Sequence, residues 1–493
     1  MKPEGSLEKI SGNKRRTKIV ATMGPATDAS AVLDKVVLAG LDVARLNCSH
    51  GGHDELLRRA REVRACAARH GRVVGILVDL QGPKIRVDRF KNGKVILHEG
   101  AVFTLDAALD PLAGTEERVG IAYKELPGDV SKGDVLLLDD GRIVLRVKET
   151  RGTQIICTVV MGGELKDKKG INRQGGGLSA PALTDKDRED IRSAAELGAD
   201  YLAISFPRSA ADINEARELL RAAGGRGGII AKIERSEALD VLEEIISASD
   251  AVMIARGDLG VEIGDAALPP VQKHIIRLAR TLNRVVITAT QMMESMIENQ
   301  IPTRAEVFDV ANAVFDGTDA VMLSAETATG KYPDKAIAAM DRICLEAEKQ
   351  RIVTSSDHRI DTRFARTDEA IAMAAMYTAN HYGVKAIAAL TESGSTPLWM
   401  SRISSGIPIF ALTKHEETRR KVTLYRGVYP VEFTSTTTDH AQVNLESMVE
   451  LLKRGEVIET DLVIITKGDL MGTMGGSNSM KIIRVGDIVR PNS

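Results

Sequence analysis

A lysine and two carboxylates lie at the ends of apolar runs in this sequence. Lys232 and Glu234 are two residues apart at the end of one run, so in a strand their side chains would share a face. The next run stops at Arg256-Gly257-Asp258, which we expect to form a short loop presenting N–H groups and a carboxylate. Such a set suits a divalent cation bound together with a small anion, and it could stabilise a phosphoryl group during transfer.

The apolar runs that must position these residues have the length of buried strands. Eight of them alternate with helix-period segments, which is typical of an α/β fold of the (β/α)8 TIM-barrel type, whose active site forms at the carboxyl ends of the strands. The expected strands are 17–24, 41–47, 73–80, 199–206, 228–234, 249–255, 285–291 and 319–326. The expected helices include 55–68, 185–197, 211–222 and 271–283.

More than about a hundred residues separate the third and fourth strands, too many for a loop. In this insertion Asn92-Gly93 and Asp140-Gly141 are hairpin-turn dipeptides. Strands are expected over 94–97, 134–138, 143–147 and 154–160. We interpret the insertion as a small all-β lid domain that closes over the barrel mouth, with a polar and flexible second linker, 166–172.

A new alternation of strands and helices follows the barrel and predicts a C-terminal three-layer α/β domain. Its expected strands are 385–390, 408–413, 428–433, 462–467 and 480–485, and its expected helices are 368–380, 416–425 and 440–453. The predicted domains are an N-terminal extension (1–14), the barrel (15–87 and 173–352), the lid (88–172) and the C-terminal effector domain (353–493).

Composition excludes several classes of function. The chain has 493 residues and a net charge of −2, with basic and acidic residues interleaved, and only 3 % of its residues are aromatic. This composition argues against a nucleic-acid-binding surface. Four cysteines without a Cys-x-x-Cys pair indicate a reducing compartment, and no apolar run resembles a membrane span or a signal-peptide core. We therefore expect a cytoplasmic protein that acts away from membranes.

Polar residues end six of the eight expected strands. They are Arg45 and Asn47, followed by Ser49 and His50; Asp79, followed by Lys84 and Arg86; Lys232 and Glu234; Arg256, Gly257 and Asp258; Thr290; and Ser324 and Glu326. Thr290 or Ser324 alone could simply cap the next helix, but the set as a whole indicates an active site. Two carboxylates with few other protein ligands suit Mg²⁺ or Mn²⁺, and Arg45, Arg86 and Lys232 could neutralise phosphoryl oxygens.

Other sites for the chemistry find less support. The sequence has no Gly-x-x-x-x-Gly-Lys-[Ser/Thr] loop and no protein-kinase signature, so phosphoryl chemistry would use a different scaffold. Cys48, His50 and His53 could be read as zinc ligands, but their spacing fits no standard zinc pattern. His50 is instead expected in the active-site loop.

Six segments resemble the signature segments of pyruvate kinases. They are 16–25, 44–50, 231–234, 253–260, 289–296 and 322–327. The resemblance extends from about residue 15 to the C-terminus and includes the order of barrel, lid and effector domain. It implies transfer of the phosphoryl group of phosphoenolpyruvate to ADP, giving pyruvate and ATP, the last step of glycolysis, in a homotetramer.

By position, the resemblance assigns Glu234 and Asp258 to Mg²⁺, Lys232 to the transferring phosphoryl group and Arg45 to phosphate. It assigns the three-carbon acid to Gly257, Asp258 and Thr290. The residues assigned to the nucleotide are Asn47, Cys48, Ser49, His50, Arg86 and Lys169. Thr290, Ser324 and Glu326 are alternative sources of the proton that the enolpyruvate must gain, through a water chain.

One position departs from the family pattern. Many pyruvate kinases need K⁺, held at the positions of Asn47, Ser49, Asp79 and the Leu80 carbonyl, and usually carry an acidic residue where this chain has Lys84. A lysine ammonium there would supply a tethered positive charge, so we expect the enzyme to work without K⁺. The alternative is that Lys84 points to solvent and K⁺ still binds.

The C-terminal domain has its own anion signal in Thr391-Glu-Ser393-Gly394-Ser395-Thr396, which follows an expected strand and precedes a helix. The alternative is an ordinary Ser/Thr-rich helix cap. The resemblance implies an effector phosphate loop here, with 467–479 as a facing loop. The segment 401–408 resembles the bacterial type that is activated by AMP or sugar monophosphates.

Two rival functions are considered. A Mg²⁺-dependent barrel aldolase or lyase acting on pyruvate or phosphoenolpyruvate would also place acids at strand ends, but it would not need a β lid or Lys169. An inactive barrel that serves as a regulatory scaffold would not need the intact set of cations and metal ligands.

Overall fold

The computed structural model describes residues 14–354, 363–469 and 475–489. The chain divides into two compact units. One comprises Ile19–Glu306 and Asp316–Ile337, and the other comprises the rest of the described chain. The predicted N-terminal extension lies outside the described residues except for Lys14.

Eight parallel strands close into a barrel in chain order, as the alternation of the sequence predicted. They are Lys18–Thr22, Val43–Asn47, Gly75–Asp79, Tyr201–Ile204, Gly228–Ile233, Ala251–Ala255, Val285–Ala289 and Ala320–Leu323. Nearly every residue in them is buried, because one face of each strand lines the barrel interior and the other packs on helices. This is why each strand is a nearly continuous apolar run in the sequence.

The helices between and after these strands are Ser30–Leu38, His53–Arg69, Asp185–Glu196, Ala210–Ala222, Glu237–Asp240, Leu242–Ala248, Arg256–Ile263, Leu268–Thr281, Arg304–Asp316, Ala325–Ala328 and Pro333–Ala347. The four helices predicted from the sequence are those that begin at His53, Asp185, Ala210 and Leu268, at or a few residues from the expected positions. One prediction is wrong: Arg256-Gly257-Asp258 is not a loop but the first turn of a helix. Its N–H groups therefore lie directly at the end of the sixth barrel strand.

The insertion after the third barrel strand is built mainly of β-strands. A six-stranded sheet has the order Ile171–Arg173, Val135–Leu138, Ile143–Arg151, Gln154–Met161, Val102–Asp106 and Arg118–Gly120, and one turn of helix spans Leu126–Asp129. Leu138 lies opposite Ile143 across the Asp140-Gly141 turn, which confirms that hairpin. Asp139, Asp140 and Gly141 all have positive φ, which is why a glycine follows the aspartates.

One expectation about the insertion is wrong. Asn92-Gly93 does not join two strands of a hairpin, since Lys94–Leu97 pairs with the distant Gly163–Lys166. The ends of the second linker belong to paired strands and Gly170 bridges to Arg86, while its flexibility stays a prediction. The boundaries 88 and 172 remain a prediction.

The second unit contains a five-stranded sheet in the order Val428–Glu432, Ile409–Thr413, Ala386–Leu390, Leu462–Gly468 and Ser477–Arg484. The first four strands are parallel and the last is antiparallel. The helices are Thr367–Tyr382, Ser395–Ser401, Glu416–Lys421, His440–Lys453 and Val485–Val489. This confirms a separate C-terminal α/β domain. Among the described residues no helix is long and apolar enough to cross a membrane.

Candidate active site

Lys232 is the centre of a buried network of charges at the carboxyl end of the fifth barrel strand. Its Nζ lies 2.9 Å from Glu234 Oε1 and 3.3 Å from Asp79 Oδ1, and it donates a hydrogen bond of 2.8 Å to Ser205 Oγ. Burial alone would lower the pKa of Lys232, but the negative charges of Asp79 and Glu234 outweigh it and raise the pKa above its ordinary value. The side chain is therefore a fixed positive charge.

Arg45 holds the other side of Asp79. Its Nε donates to Asp79 Oδ2 at 2.7 Å and its Nη1 donates to Thr22 Oγ1 at 2.9 Å. Burial alone would raise the pKa of Asp79, but Lys232 and Arg45 outweigh it and lower the pKa. Asp79 thus stays ionised and orients two cations, Arg45 from the neighbouring second strand and Lys232 from the fifth strand, which lies across the fourth.

The two predicted metal ligands behave differently from Asp79. Burial, opposed by Lys232 and reinforced by Asp258, raises the pKa of Glu234 to about 7. Glu234 Oε2 accepts the N–H of Phe206 at 2.8 Å. Burial also raises the pKa of Asp258, which Lys232 opposes. The charge of Lys232 acts on both carboxylates, and the charge of Asp258 acts on Glu234. Lys232, Glu234 and Asp258 therefore lie in one site.

Thr290 follows the seventh strand with a φ of +64°, a region that is costly for a β-branched residue. Its hydroxyl accepts the Gly257 N–H at 2.8 Å and donates to the Ala289 carbonyl at 2.7 Å. Arg256 Nη2 donates to the Thr290 carbonyl at 2.7 Å. Thr290 is therefore more than a helix cap, because it ties the first turn of the Arg256–Ile263 helix to the next strand.

Glu326 and Ser324 lie at the end of the eighth strand. Glu326 Oε2 accepts the Ser324 N–H at 2.7 Å, and its Oε1 accepts the Met293 N–H at 3.2 Å. Burial raises the pKa of Glu326, while the backbone hydrogen bonds lower it. The carboxyl group thus joins the ends of the seventh and eighth strands.

A cavity of about 330 Å³ brings insertion and barrel residues together. Among its lining residues are Lys84, Arg86, Lys169, Asp258 and Glu262. Lys169 Nζ forms an ion pair of 2.7 Å with Asp139 Oδ1. The cavity therefore places Arg86 and Lys169, both predicted to bind the nucleotide, around one predicted metal ligand.

The segment Asn47 to His50 is not among the residues that line this cavity. Asn47 Oδ1 accepts the Ser49 N–H at 3.0 Å, the buried Cys48 carbonyl accepts from Lys186 Nζ at 3.0 Å, and His50 is exposed. Burial raises the pKa of the Cys48 thiol. The nucleotide roles of these residues remain predictions.

The positions of Cys48, His50 and His53 bear on whether they could bind zinc together. His53 contacts Ser193 Oγ at 2.8 Å and Glu196 at 3.4 Å. Cys48, His50 and His53 do not form a cluster of metal ligands among the described residues.

The predicted monovalent-cation position includes a buried carboxylate. Asp79 Oδ1 is buried and forms an ion pair of 3.3 Å with Lys232 Nζ. The Leu80 carbonyl accepts from Ser205 Oγ at 2.7 Å. The Lys84 residue as a whole is exposed, but partial desolvation of its ammonium group, followed by the charges of Arg86 and Lys186, lowers its pKa. Lys84 thus lies in a cationic environment, and its relation to the K⁺ position stays a prediction.

Sequence reasoning missed Ser205 and Glu262. Ser205 follows the fourth strand and binds Lys232, although no charged residue marks the end of its apolar run. Glu262 is one helical turn after Asp258, and its Oε2 accepts the Ser236 N–H at 2.9 Å. Burial raises the pKa of Glu262 to about 7. The i, i+4 spacing from Asp258 is the signal that could have found it.

In the second unit the predicted effector loop leads into the helix Ser395–Ser401. Gly394, with a φ of +82°, donates its N–H to Thr391 Oγ1 at 2.8 Å, and Ser393 Oγ lies 2.8 Å from Ser395 Oγ. Thr396 Oγ1 lies 2.7 Å from Ser477 Oγ. The facing loop, 467–479, falls partly outside the described residues.

A closed barrel with Lys232, Arg45 and several buried carboxylates at its carboxyl rim has the charges that phosphoryl transfer in a TIM barrel would use. The family model of the pyruvate kinase barrel domain matches residues 14–337, and that of the pyruvate kinase alpha/beta domain matches residues 369–483. The chain therefore belongs to the pyruvate kinase family. It is an enzyme that transfers the phosphoryl group of phosphoenolpyruvate to ADP, and the aldolase or lyase alternative is not favoured.

Individual relatives match over nearly the whole chain. Pyruvate kinase II of Salmonella typhimurium is 56 % identical over 97 % of this chain and 100 % of its own length. Pyruvate kinases of Haemophilus influenzae (93 % of this chain, 97 % of that protein) and of Buchnera aphidicola from Acyrthosiphon pisum (96 % and 99 %) are each 55 % identical. The family generally uses Mg²⁺ and K⁺.

Proposed function

We propose that Lys232 stabilises the phosphoryl group as it passes from phosphoenolpyruvate to ADP. The observation that carries this proposal is the position of its ammonium group, 2.9 Å from Glu234 on a side chain that is only 12 % exposed at the strand end. Because Asp79 and Glu234 keep the side chain protonated, it can meet developing negative charge without moving a proton. Arg45 lies on the strand next to that of Asp79, which fixes its position, and it would hold the phosphate oxygens.

Glu234 and Asp258 would hold Mg²⁺, or Mn²⁺ in its place. Both are carboxylates whose ionised forms are disfavoured by burial, and a divalent cation would favour those forms. When bound, the cation supplies charge neutralisation for phosphoryl and carboxylate oxygens. The Gly257 N–H and the first turn of the Arg256–Ile263 helix would orient the three-carbon acid beside Thr290.

The nucleotide would bind on the insertion side of the same rim. Arg86 and Lys169 line the cavity that also contains Asp258, so both can meet phosphate oxygens of ADP. Asn47, Cys48, Ser49 and His50 would complete this site. The final proton on the pyruvate methyl group would come through Thr290, Ser324 or Glu326, and the hydrogen bonds of Glu326 favour none of the three.

A Mg²⁺ titration tests these roles. Pyruvate formation from phosphoenolpyruvate should require ADP, whereas a lyase would not need it. Glu234→Gln should need at least about tenfold more Mg²⁺ for half-maximal activity. Loss of a residue that only hydrogen-bonds a metal ligand already lowers metal affinity by about that factor. The matched control is Glu298→Gln, an exposed glutamate that pairs with Lys331. An unchanged Mg²⁺ requirement in Glu234→Gln would remove this residue from the metal site.

We also propose that the enzyme works without K⁺, with the Lys84 ammonium as the tethered cation. The buried, ionised Asp79 carboxylate and the lowered pKa of Lys84 among other cations support an electrostatic role in this area. Activity in tetramethylammonium buffer should equal that in K⁺. Lys84→Met should lose activity in that buffer and regain it with K⁺, while Lys168→Met, its neighbour in the cavity lining, should not. A large K⁺ activation of the unaltered enzyme would contradict the proposal.

A phosphorylated metabolite or AMP is the proposed activator, bound by Thr391, Ser393, Gly394, Ser395 and Thr396. The adjacent hydroxyls of Ser393 and Ser395 suit phosphate oxygens. Replacing both serines by alanine should weaken activation and spare the rate at saturating phosphoenolpyruvate, whereas Ser435→Ala should change neither. Unchanged activation by every sugar phosphate would place the site elsewhere.

A cytoplasmic homotetramer is the form in which we expect the enzyme to act. All four cysteines are free and buried, which suits a reducing compartment. Size-exclusion chromatography with light scattering would test the oligomeric state.

A further inference from the structure

A mixed cluster of side chains joins two helices on the outer wall of the barrel. Asp34 comes from the helix Ser30–Leu38, while Cys66 and His70 come from the end of the helix His53–Arg69. Cys66 Sγ lies 3.1 Å from Asp34 Oδ1, and His70 Nε2 lies 2.9 Å from the same oxygen. A sulfur, a nitrogen and an oxygen thus lie within 4.8 Å of one another.

We propose that Asp34, Cys66 and His70 form a binding site for a borderline-soft divalent cation, with Zn²⁺ as the preferred ion. Thiolate, imidazole and carboxylate are the three ligand types that Zn²⁺ takes in proteins, and three protein ligands leave a fourth tetrahedral position for water. Mg²⁺ prefers oxygen ligands, so the site would differ in selectivity from Glu234 and Asp258.

The cluster is accessible to an ion from solvent. Cys66 is fully buried, but the side chains of Asp34 and His70 are 31 % and 26 % exposed. On binding, the Cys66 thiol would release its proton to solvent, and His70 would carry its remaining proton on Nδ1, leaving the Nε2 lone pair for the metal. No oxidation or reduction is involved.

Arg69 competes with the ion for the carboxylate. Its Nη2 donates to Asp34 Oδ1 at 2.7 Å, and its side chain is 52 % exposed. The guanidinium would have to leave this oxygen when a cation binds. Arg69 therefore gives the proposal a specific signature, because its removal should strengthen metal binding while weakening a purely hydrogen-bonded cluster.

Co²⁺ titration of the full chain tests the site, because a thiolate-bound Co²⁺ has a sulfur-to-metal absorption band that carboxylate-bound Co²⁺ lacks. Saturating Mg²⁺ keeps the catalytic carboxylates occupied, and Zn²⁺ is then added to displace Co²⁺. The unaltered protein should show the band at one equivalent, and Cys66→Ser should lose it. The matched control is Cys344→Ser, another fully buried helical cysteine, which should keep it.

Two variants at partly exposed side chains test the proposal even if Cys66→Ser does not fold. His70→Gln should lower the affinity for Zn²⁺ at least about tenfold. Arg69→Gln should raise it by about two- to fivefold, the factor expected for loss of an exposed ion pair. Both should keep the basal rate of pyruvate formation. Absence of the sulfur band in the unaltered protein, or unchanged Zn²⁺ affinity in His70→Gln, would overturn the proposal.

Discussion

Glu234 and Asp34 are both carboxylates beside cations, yet their pKa values move in opposite directions. Burial raises the pKa of Glu234 to about 7, although Lys232 lies 2.9 Å away. Hydrogen bonds from Cys66, His70 and Arg69 lower the pKa of Asp34 at the surface. The difference shows that burial can raise the pKa of a carboxylate even when a cation lies beside it. Glu234 is buried and shares its ion-pair partner Lys232 with Asp79. Asp34 instead accepts hydrogen bonds from several donors and is partly exposed to solvent.

The largest effect is expected from Lys232→Met, which removes the charge shared by the buried carboxylates. The value of kcat should fall about 10³-fold or more with modest change in KM, because the ammonium acts mainly on charge that develops in the transition state. Steady-state kinetics would measure this. Lys273→Met, which removes an exposed lysine paired with Asp316, is the control and should leave kcat unchanged. Near-normal turnover in Lys232→Met would end the role proposed for this residue.

Arg45→Lys tests whether the buried network depends on geometry as well as charge. Lysine cannot reproduce the two directed bonds to Asp79 and Thr22, so kcat/KM for phosphoenolpyruvate should fall about 10- to 100-fold. Arg59→Lys is the matched control, since Arg59 is a buried arginine with two bonds to Asp28 outside the site. An equal loss in both variants would indicate a general cost of replacing buried arginines.

Glu262→Gln extends the comparison to a second buried carboxyl group. Its pKa is about 7 in the folded protein, above the ordinary 4.5, so the folded state holds its proton more tightly. Its contribution to stability is fully present below about pH 4.5 and is lost as the pH rises through 7. The variant should therefore differ least from the unaltered protein at pH 5 and exceed its stability by about 1–3 kcal/mol at pH 8.

Thermal unfolding from pH 5 to pH 8 would measure this difference. Glu218→Gln, which replaces an exposed glutamate of the helix Ala210–Ala222, should show no such trend. A gap between Glu262→Gln and the unaltered protein that is independent of pH would contradict the assigned titration.

The smallest effect is expected from Asp34→Asn in metal-free buffer. An asparagine oxygen can still accept hydrogen bonds from Cys66 and Arg69, and the site is solvent-screened. The Tm should fall by at most about 2 °C at pH 7. A fall of more than about 5 °C would show that this surface carboxylate is as important as the buried ones.

The barrel could be predicted from sequence because each of its strands is buried on both faces. Such strands give continuous apolar runs, and the polar residues that end them mark the rim, which is how Lys232 and Glu234 were found. The predicted strands were too long by up to three residues at an end, because the residues that leave the sheet are still largely buried. The first turn at Arg256 was mistaken for a loop, since Gly257 and Gly260 disfavour a helix by local propensity.

Contacts between distant segments could not be predicted in the same way. Ser205 reaches Lys232 only because two strands are neighbours in the barrel with a particular register. Asn92-Gly93 has the composition of a hairpin turn, but tertiary pairing of Lys94–Leu97 with Gly163–Lys166 overrides it. The cluster of Asp34, Cys66 and His70 has no sequence pattern, because its members come from two helices.

The insertion leaves the barrel and returns to it along antiparallel neighbours, with Lys94 opposite Lys166 and Arg86 opposite Gly170. Adjacent strands are about 5 Å apart, so its two ends meet the barrel at almost the same point. The insertion therefore connects two adjacent points of the barrel chain, as the loop of a hairpin would. We therefore expect that a short splice between Arg86 and Gly170 could reconnect the barrel chain without the insertion.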